Sequence, residues 1–212
     1  MPTNVQIIFY STYGHVYRLA EAIAEGAREV PDTQVAVFQV AETLSSEILG
    51  KMGAVEAKKA FAQVPIADPK RLAEADAIVL GSPTRYGSKT AQMQAFIDAT
   101  GSLWGAGALI GKVGSAFTST ASQHGGQETT LVSMSTFFFH QGMVIVGVPY
   151  SSQELVNMDE LSGGTPYGAS TVAGPRGERL PSANELAIAR AQGRHVARVA
   201  KAMKAFPETA VK

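Results

Sequence analysis

Apolar and polar positions alternate along this chain in blocks that change period again and again. Val5-Gln6-Ile7-Ile8-Phe9-Tyr10 is an apolar run broken by one glutamine, the pattern of a parallel strand buried on both faces. Hydroxyls and one glycine interrupt it at Ser11-Thr12-Tyr13-Gly14-His15, and helical spacing takes over from Val16 to about Glu29. The same reading predicts strands at Val35–Phe38, Asp76–Gly81, Val113–Phe117 and Met143–Val148, with helices near Ala91–Thr100, Glu128–Phe139 and Leu186–Phe206. Val40 to Asp76 reads as a soft, Ala/Lys-rich stretch. Pro149 to Pro181 has no clear period and is rich in Gly, Ser, Thr and Pro; a loop that long in a compact domain is usually functional or disordered, and the functional reading is favoured here.

Five apolar strands alternating with helices predict an α/β fold: a doubly wound, five-stranded parallel sheet with helices on both faces. At 212 residues, with 45% hydrophobic and 17% charged, the expectation is one domain over 1–206 followed by a short tail, 207–212. Eighteen basic and eighteen acidic residues cancel, which disfavours binding to nucleic acid or an anionic membrane surface. No apolar run approaches a membrane span and the first strand begins almost at once, so a cytoplasmic protein without membrane insertion is expected. The absence of cysteine removes disulfides, thiol nucleophiles and thiolate metal sites, and four scattered histidines predict no metal centre. Redox chemistry here would need a cofactor.

Candidate chemistry gathers after the first, third and fourth strands. Ligands of open parallel sheets bind in the crevice at the carboxyl ends of the strands, so three loops of one character are expected to converge. The first loop runs from strand to helix N-terminus, where free N–H groups hold a phosphate without a lysine. One glycine is too few for a dinucleotide fingerprint, and no Gly-Lys-Ser/Thr occurs in the chain, so a monophosphate is the better match. Read alone, the less favoured alternative is that Ser11 and Thr12 merely cap a helix. Ser82-Pro83-Thr84-Arg85-Tyr86-Gly87 could be an ordinary turn. The third loop, Thr118-Ser119-Thr120-Ala121-Ser122-Gln123-His124-Gly125-Gly126-Gln127, offers backbone donors and a flexible approach to a flat polar ring. Trp104 reads as core or as a stacking surface, and His140 as a helix-end residue or a catalytic group.

Tyr10–His15, Gly81–Gly87, Thr100–Trp104, Gly125–Glu128, His140–Val144 and Gly163–Gly168 together resemble the flavodoxin-like NAD(P)H:quinone oxidoreductases of the WrbA type, over nearly the whole chain. The resemblance implies noncovalent FMN, with Ser11, Thr12, Tyr13, Gly14, His15 and Val16 at its phosphate. Pro83, Thr84, Arg85, Tyr86 and Gly87 would lie along the ring, with Ser119, Thr120, Ala121, Ser122 and Gln123 holding the flavin from the fourth strand. Tyr13, Trp104 and His140 would serve the substrate side, His140 against a quinone oxygen. It also implies NADH or NADPH as donor, a quinone as acceptor, insertions after strands two and five, and a homotetramer. Ala121 departs from the family, where glycine is common at that position.

The three loops Tyr10–Tyr17, Ser82–Thr90 and Thr118–Gln127 contain no Asp or Glu, yet carry His15, Arg85, Lys89 and His124. One cation ~6 Å from a reduced flavin at an effective ε of ~20 is worth roughly 3 kcal/mol before solvent screening. That predicts two-electron rather than one-electron reduction. The rival reading is a noncatalytic or one-electron-carrying protein of the same fold that acts through protein partners.

Overall fold

The structure is a computed structural model that describes residues 1–205. β1 (Thr3–Phe9) leads into α1 (His15–Arg28) and β2 (Thr33–Gln39). The stretch after β2 folds into α2 (Ser46–Lys51), α3 (Val55–Lys59) and a 3₁₀ turn at Pro69–Glu74. Then come β3 (Ala77–Pro83), α4 (Ala91–Asp98), α5 (Gly101–Gly105), β4 (Val113–Thr120), α6 (Gln127–His140) and β5 (Val144–Ile145). A 3₁₀ turn at Gln153–Val156, β6 (Ser170–Val172) and α7 (Ala183–Lys204) complete the described chain. The expected helix end at Phe206 and the tail 207–212 lie outside the described residues.

The sheet is parallel throughout, in the order β2-β1-β3-β4-β5, with β6 also on β4. Successive strand residues point to opposite faces, so β1 feeds two cores. Val5, Ile7 and Phe9 pack with α1 and α7, whereas Ile8 and Tyr10 pack with α4 and α6 through Met93, Phe96, Leu131, Met134 and Phe138. Helices therefore cover both faces, as the apolar runs predict. The α1–α7 crossing is close because it is built on glycine: a Cβ on Gly193 would stand 1.9 Å from the Ile23 carbonyl oxygen.

The fifth strand differs from the expected Met143–Val148. Pairing stops after Ile145, the chain leaves the edge, and β6 returns to pair with the last residues of β4. Between the two halves Val146 donates to the Gly114 carbonyl, and Thr118 donates to that of Ala169. The buried Gln192 of α7 spans the gap, donating to Ser115 Oγ at 2.7 Å and the Ala116 carbonyl at 2.8 Å while accepting from Ala169 N–H at 2.9 Å. One edge position is thus filled by two short strands, and the segment expected as an open loop carries the second. Among the described residues no helix is long and apolar enough to cross a membrane.

Candidate flavin cleft

Most described helix N-termini away from the strand ends follow the ordinary capping rule. Ser45, Thr90 and Ser182 each accept from a backbone N–H two or three positions into α2, α4 and α7. The two long helices that begin at the carboxyl ends of β1 and β4 do not. The N-caps of α1 and α6 are Gly14 (φ 88°) and Gly126 (φ 89°), both left-handed and neither supplying a side-chain acceptor. First-turn N–H groups of α1 are thereby left for a ligand, at the positive end of the helix dipole.

A cleft of about 220 Å³ opens at this point, lined by Ser11, Thr12, Tyr13, His15, Val16, Pro83, Thr84, Arg85, Ser119, Thr120 and Ala121. The three sequence-predicted loops do converge. Gly14 supplies the turn itself, its N–H donating to Ser11 Oγ at 3.1 Å. Arg85 joins two of the loops, with one guanidinium nitrogen on the Thr84 carbonyl at 2.8 Å and the other on Thr12 Oγ1 at 3.2 Å. Thr84 N–H bonds the Ser119 carbonyl, and Thr130 Oγ1 lies 2.8 Å from Thr84 Oγ1, so the second loop is braced from β4 and α6. Ala121 is not strained: Asp32 and Tyr86 are the non-glycine residues with positive φ among those described. The glycine common in the family at position 121 is not required for this loop's geometry.

His15 opens α1, is buried, and its Nε2 has no hydrogen-bond partner. Burial pulls its pKa below the ordinary histidine value; the carbonyls of Arg179 and Gly177 near the ring oppose that without reaching hydrogen-bond geometry at Nε2. An orphaned buried imidazole nitrogen beside an uncapped helix N-terminus fits a phosphate group.

Several expected residues lie elsewhere. Tyr86 is fully exposed at φ 54°, and Gly87, Ser122, Gln123 and His124 stand outside the cleft lining. Trp104, on α5, is exposed and does not line the cleft. His140 ends α6, roughly 20 Å of helix from the Gln127 end that borders the site. Within one chain, neither Trp104 nor His140 reaches the cleft. Tyr13 does line it, but its phenol donates to the Met52 carbonyl at 3.1 Å, tying the loop to the end of α2. Of the loop cations, Lys89 turns away to the Ser133 carbonyl at 3.0 Å.

The far wall comes from the long segment read as functional, but none of its residues is among the sequence-predicted site residues. Ala173-Gly174-Pro175-Arg176-Gly177, which follows β6, lines the same cleft and brings a second arginine to it, an exposed one whose Nε lies 4.0 Å from Glu178 Oε1. The lining then holds Arg85 and Arg176 and no carboxylate. The sequence signal is the Gly174-Pro175 turn pair between the β-branched pair Thr171-Val172 and the Ser182–Glu185 capping box.

A family model described as NADPH-dependent FMN reductase matches residues 8–155, from β1 through the 3₁₀ turn after β5. The chain belongs to the NADPH-dependent FMN reductase family. Along most of its length the chain is also similar to relatives named NAD(P)H dehydrogenase (quinone). That of Geobacter sulfurreducens is 57% identical over 93% of this chain and 97% of the relative, and that of Syntrophobacter fumaroxidans 58% over the same shares. Among solved structures, a WrbA-like flavodoxin from Agrobacterium tumefaciens has a TM-score of 0.64 at 26% identity, covering 94% of this chain and 98% of its own. Flavodoxin 1 of Bacillus cereus, at 16% identity and a TM-score of 0.60 over 92% and 98%, shares the fold. The WrbA-type resemblance read from the sequence is borne out, and the flavodoxin-like fold with it.

Proposed function

We propose that this FMN reductase-family protein uses FMN to reduce quinones by two electrons at the expense of NADH or NADPH. The observation that carries the proposal is the cleft at the carboxyl ends of β1, β3 and β4, with its uncapped α1 N-terminus, the unpartnered Nε2 of His15 and a carboxylate-free lining. Ser11, Thr12 and the first-turn N–H groups of α1 hold the phosphate, while Thr84, Arg85 and Ser119–Ala121 flank the ring. FMN, when bound, supplies the redox chemistry; the chain supplies orientation and positive potential. Arg85 and Arg176 favour the anionic, fully reduced cofactor, and Tyr13 gives flat substrates an aromatic wall. Donor and acceptor then use one face in turn, which makes the kinetics ping-pong.

We place the protein in the cytoplasm as a homotetramer whose sites are completed between copies. Trp104, Phe139, Tyr150, Met158 and Tyr167 are large side chains left exposed by the single chain, and His140 borders Phe139. On this reading Trp104, His140 and the 163–168 turn serve a neighbouring copy's cleft. A one-electron carrier is disfavoured because such carriers make reduced flavin costly with nearby carboxylates and steer to partners by charge.

Anaerobic titration of the FMN-loaded protein with NADH or NADPH, followed through the flavin absorbance bands, tests the function. The spectrum should pass from oxidised to fully reduced with little one-electron-reduced flavin, and a quinone should reverse it. Accumulation of a stable one-electron form, or no response to either nucleotide, refutes the proposal. Sedimentation tests the assembly: a 22 kDa monomer that turns over quinone at full rate refutes the shared site.

A further inference from the structure

The segment after β2 does more than cover the sheet. It sends Lys58 of α3 to the phosphate loop, where its ammonium lies 3.3 Å from the Ser11 carbonyl oxygen. The ammonium is held there from several sides. Glu42 Oε2 stands at 2.8 Å, and the rings of Tyr10 and Phe61 lie 5.0 and 5.5 Å away. Glu42 is anchored in turn by the Tyr10 hydroxyl (3.0 Å to Oε2), by Gln92 Nε2 (3.2 Å) and by the N–H groups of Thr43 and Leu44 (both 3.0 Å). Both members of the pair are largely buried, at 19% and 22% side-chain exposure.

Lys58 does not line the cleft, and Glu42 neutralises it, so it is poorly placed to act as a charge on a ligand. What it does hold is a carbonyl. The Ser11 C=O and the Thr12 N–H belong to one planar trans peptide and point in opposite directions. Fixing the oxygen on the Lys58 side therefore turns the Thr12 N–H the other way, and Thr12 is a buried residue of the cleft wall.

We infer that Lys58, set by Glu42, is a positioning residue for phosphate binding, acting through the Ser11–Thr12 peptide to present the Thr12 N–H to the phosphate of FMN. This rests on reading the cleft as an FMN site. Tyr13 also ties the loop to the segment, its phenol donating to the Met52 carbonyl at 3.1 Å, but that bond does not involve the Ser11–Thr12 peptide.

The test compares FMN with riboflavin, which lacks the phosphate, on the full chain stripped of flavin, with binding read by flavin fluorescence. Lys58→Met keeps the apolar stem on Phe61 and removes the ammonium. It should weaken FMN about tenfold, the scale of one charged hydrogen bond, while changing riboflavin by less than about twofold. Lys58→Arg should restore most of the loss, and Glu42→Gln should weaken FMN in the same direction by loosening the lysine. A direct charge on phosphate predicts the reverse for Glu42→Gln, since removing the carboxylate would free the cation and tighten FMN. Tightening there, an unchanged FMN affinity in Lys58→Met, or equal losses for FMN and riboflavin each overturns the inference. Should Lys58→Met unfold, Glu42→Gln decides the matter alone. A wild-type chain that takes up no FMN defeats the underlying site reading, whereas tight wild-type FMN with an unaltered preference in the variants defeats only the role of Lys58.

Discussion

Glu185→Gln tests how the far wall of the cleft is held. The Glu185 carboxylate is wholly buried and takes six hydrogen bonds. Oε1 accepts from Gly163 N–H (2.8 Å), Val172 N–H (3.0 Å) and Arg179 Nη1 (3.0 Å); Oε2 accepts from Thr171 Oγ1 (2.7 Å), Arg179 Nη1 (2.8 Å) and Ser182 N–H (2.8 Å). A glutamine keeps the shape but must set an NH₂ where an oxygen stood. Placed at Oε1 it faces two buried backbone donors. Placed at Oε2 it faces Ser182 N–H and the guanidinium, while Thr171 can rotate its hydroxyl to accept, so this is the cheaper arrangement. Ser182 N–H then loses its acceptor, and Arg179 Nη1 exchanges a carboxylate for a single uncharged amide oxygen at Oε1, at about 1–3 kcal/mol each, which puts the loss near 3 kcal/mol. For a chain of this length that lowers Tm by about 6–12 °C. Calorimetry on flavin-free protein at fixed concentration reads it, since assembly would shift Tm with concentration. Arg179 closes the segment whose residues 173–177 line the cleft, so FMN affinity should fall as well. A Tm within about 2 °C of wild type would refute the reasoning, because it would mean the six bonds are replaceable by water.

Ser11→Ala removes the acceptor of Gly14 N–H and should weaken FMN by ~1 kcal/mol, about fivefold, in a dialysis competition where FAD is retained less well than FMN. Gly193→Ala should lower stability by a few kcal/mol, because its Cβ would meet backbone at Ile23; a wild-type melting curve would show that the α1–α7 crossing relaxes freely. Burial lowers the pKa of both His15 and His195 in the folded state, so between the folded and unfolded values the unfolded chain binds more protons. Their contribution is therefore complete above about pH 6.5 and is lost as pH falls below it. Flavin-free protein should melt at lower temperature at pH 5.5 than at pH 7.5, and His15→Gln should flatten that dependence; an unchanged slope in His15→Gln and His195→Gln together would refute it.

The parts legible from sequence are those whose physics is local. β1 could be read because both its faces are buried, so nearly every residue in the run is apolar. The cleft loops could be read because phosphate and ring binding ask for hydroxyls, glycine and helix N-termini just after such strands. α2 and α3 were not legible: neither buries a residue fully, so no apolar stripe marks them, and their order comes from contacts such as Lys58 with Glu42 and Tyr13 with Met52. β6 is three residues long and pairs across a gap in the sheet edge, so neither its length nor its period separates it from loop. Its position still matters to the site, because the turn that follows it, residues 173–177, forms one wall of the cleft and brings Arg176 to its lining. Trp104 and His140 mark the opposite limit. Their residue types suggested site chemistry, but one chain holds them away from its own cleft, and the proposed assembly is what would bring them to a neighbour's. That assignment makes a concentration-dependent demand: if Trp104 closes a neighbour's cleft, Trp104→Ala should leave the chain folded yet make flavin retention fall steeply on dilution. Equal retention by wild type and variant across a hundredfold dilution would return Trp104 to an ordinary exposed residue of α5.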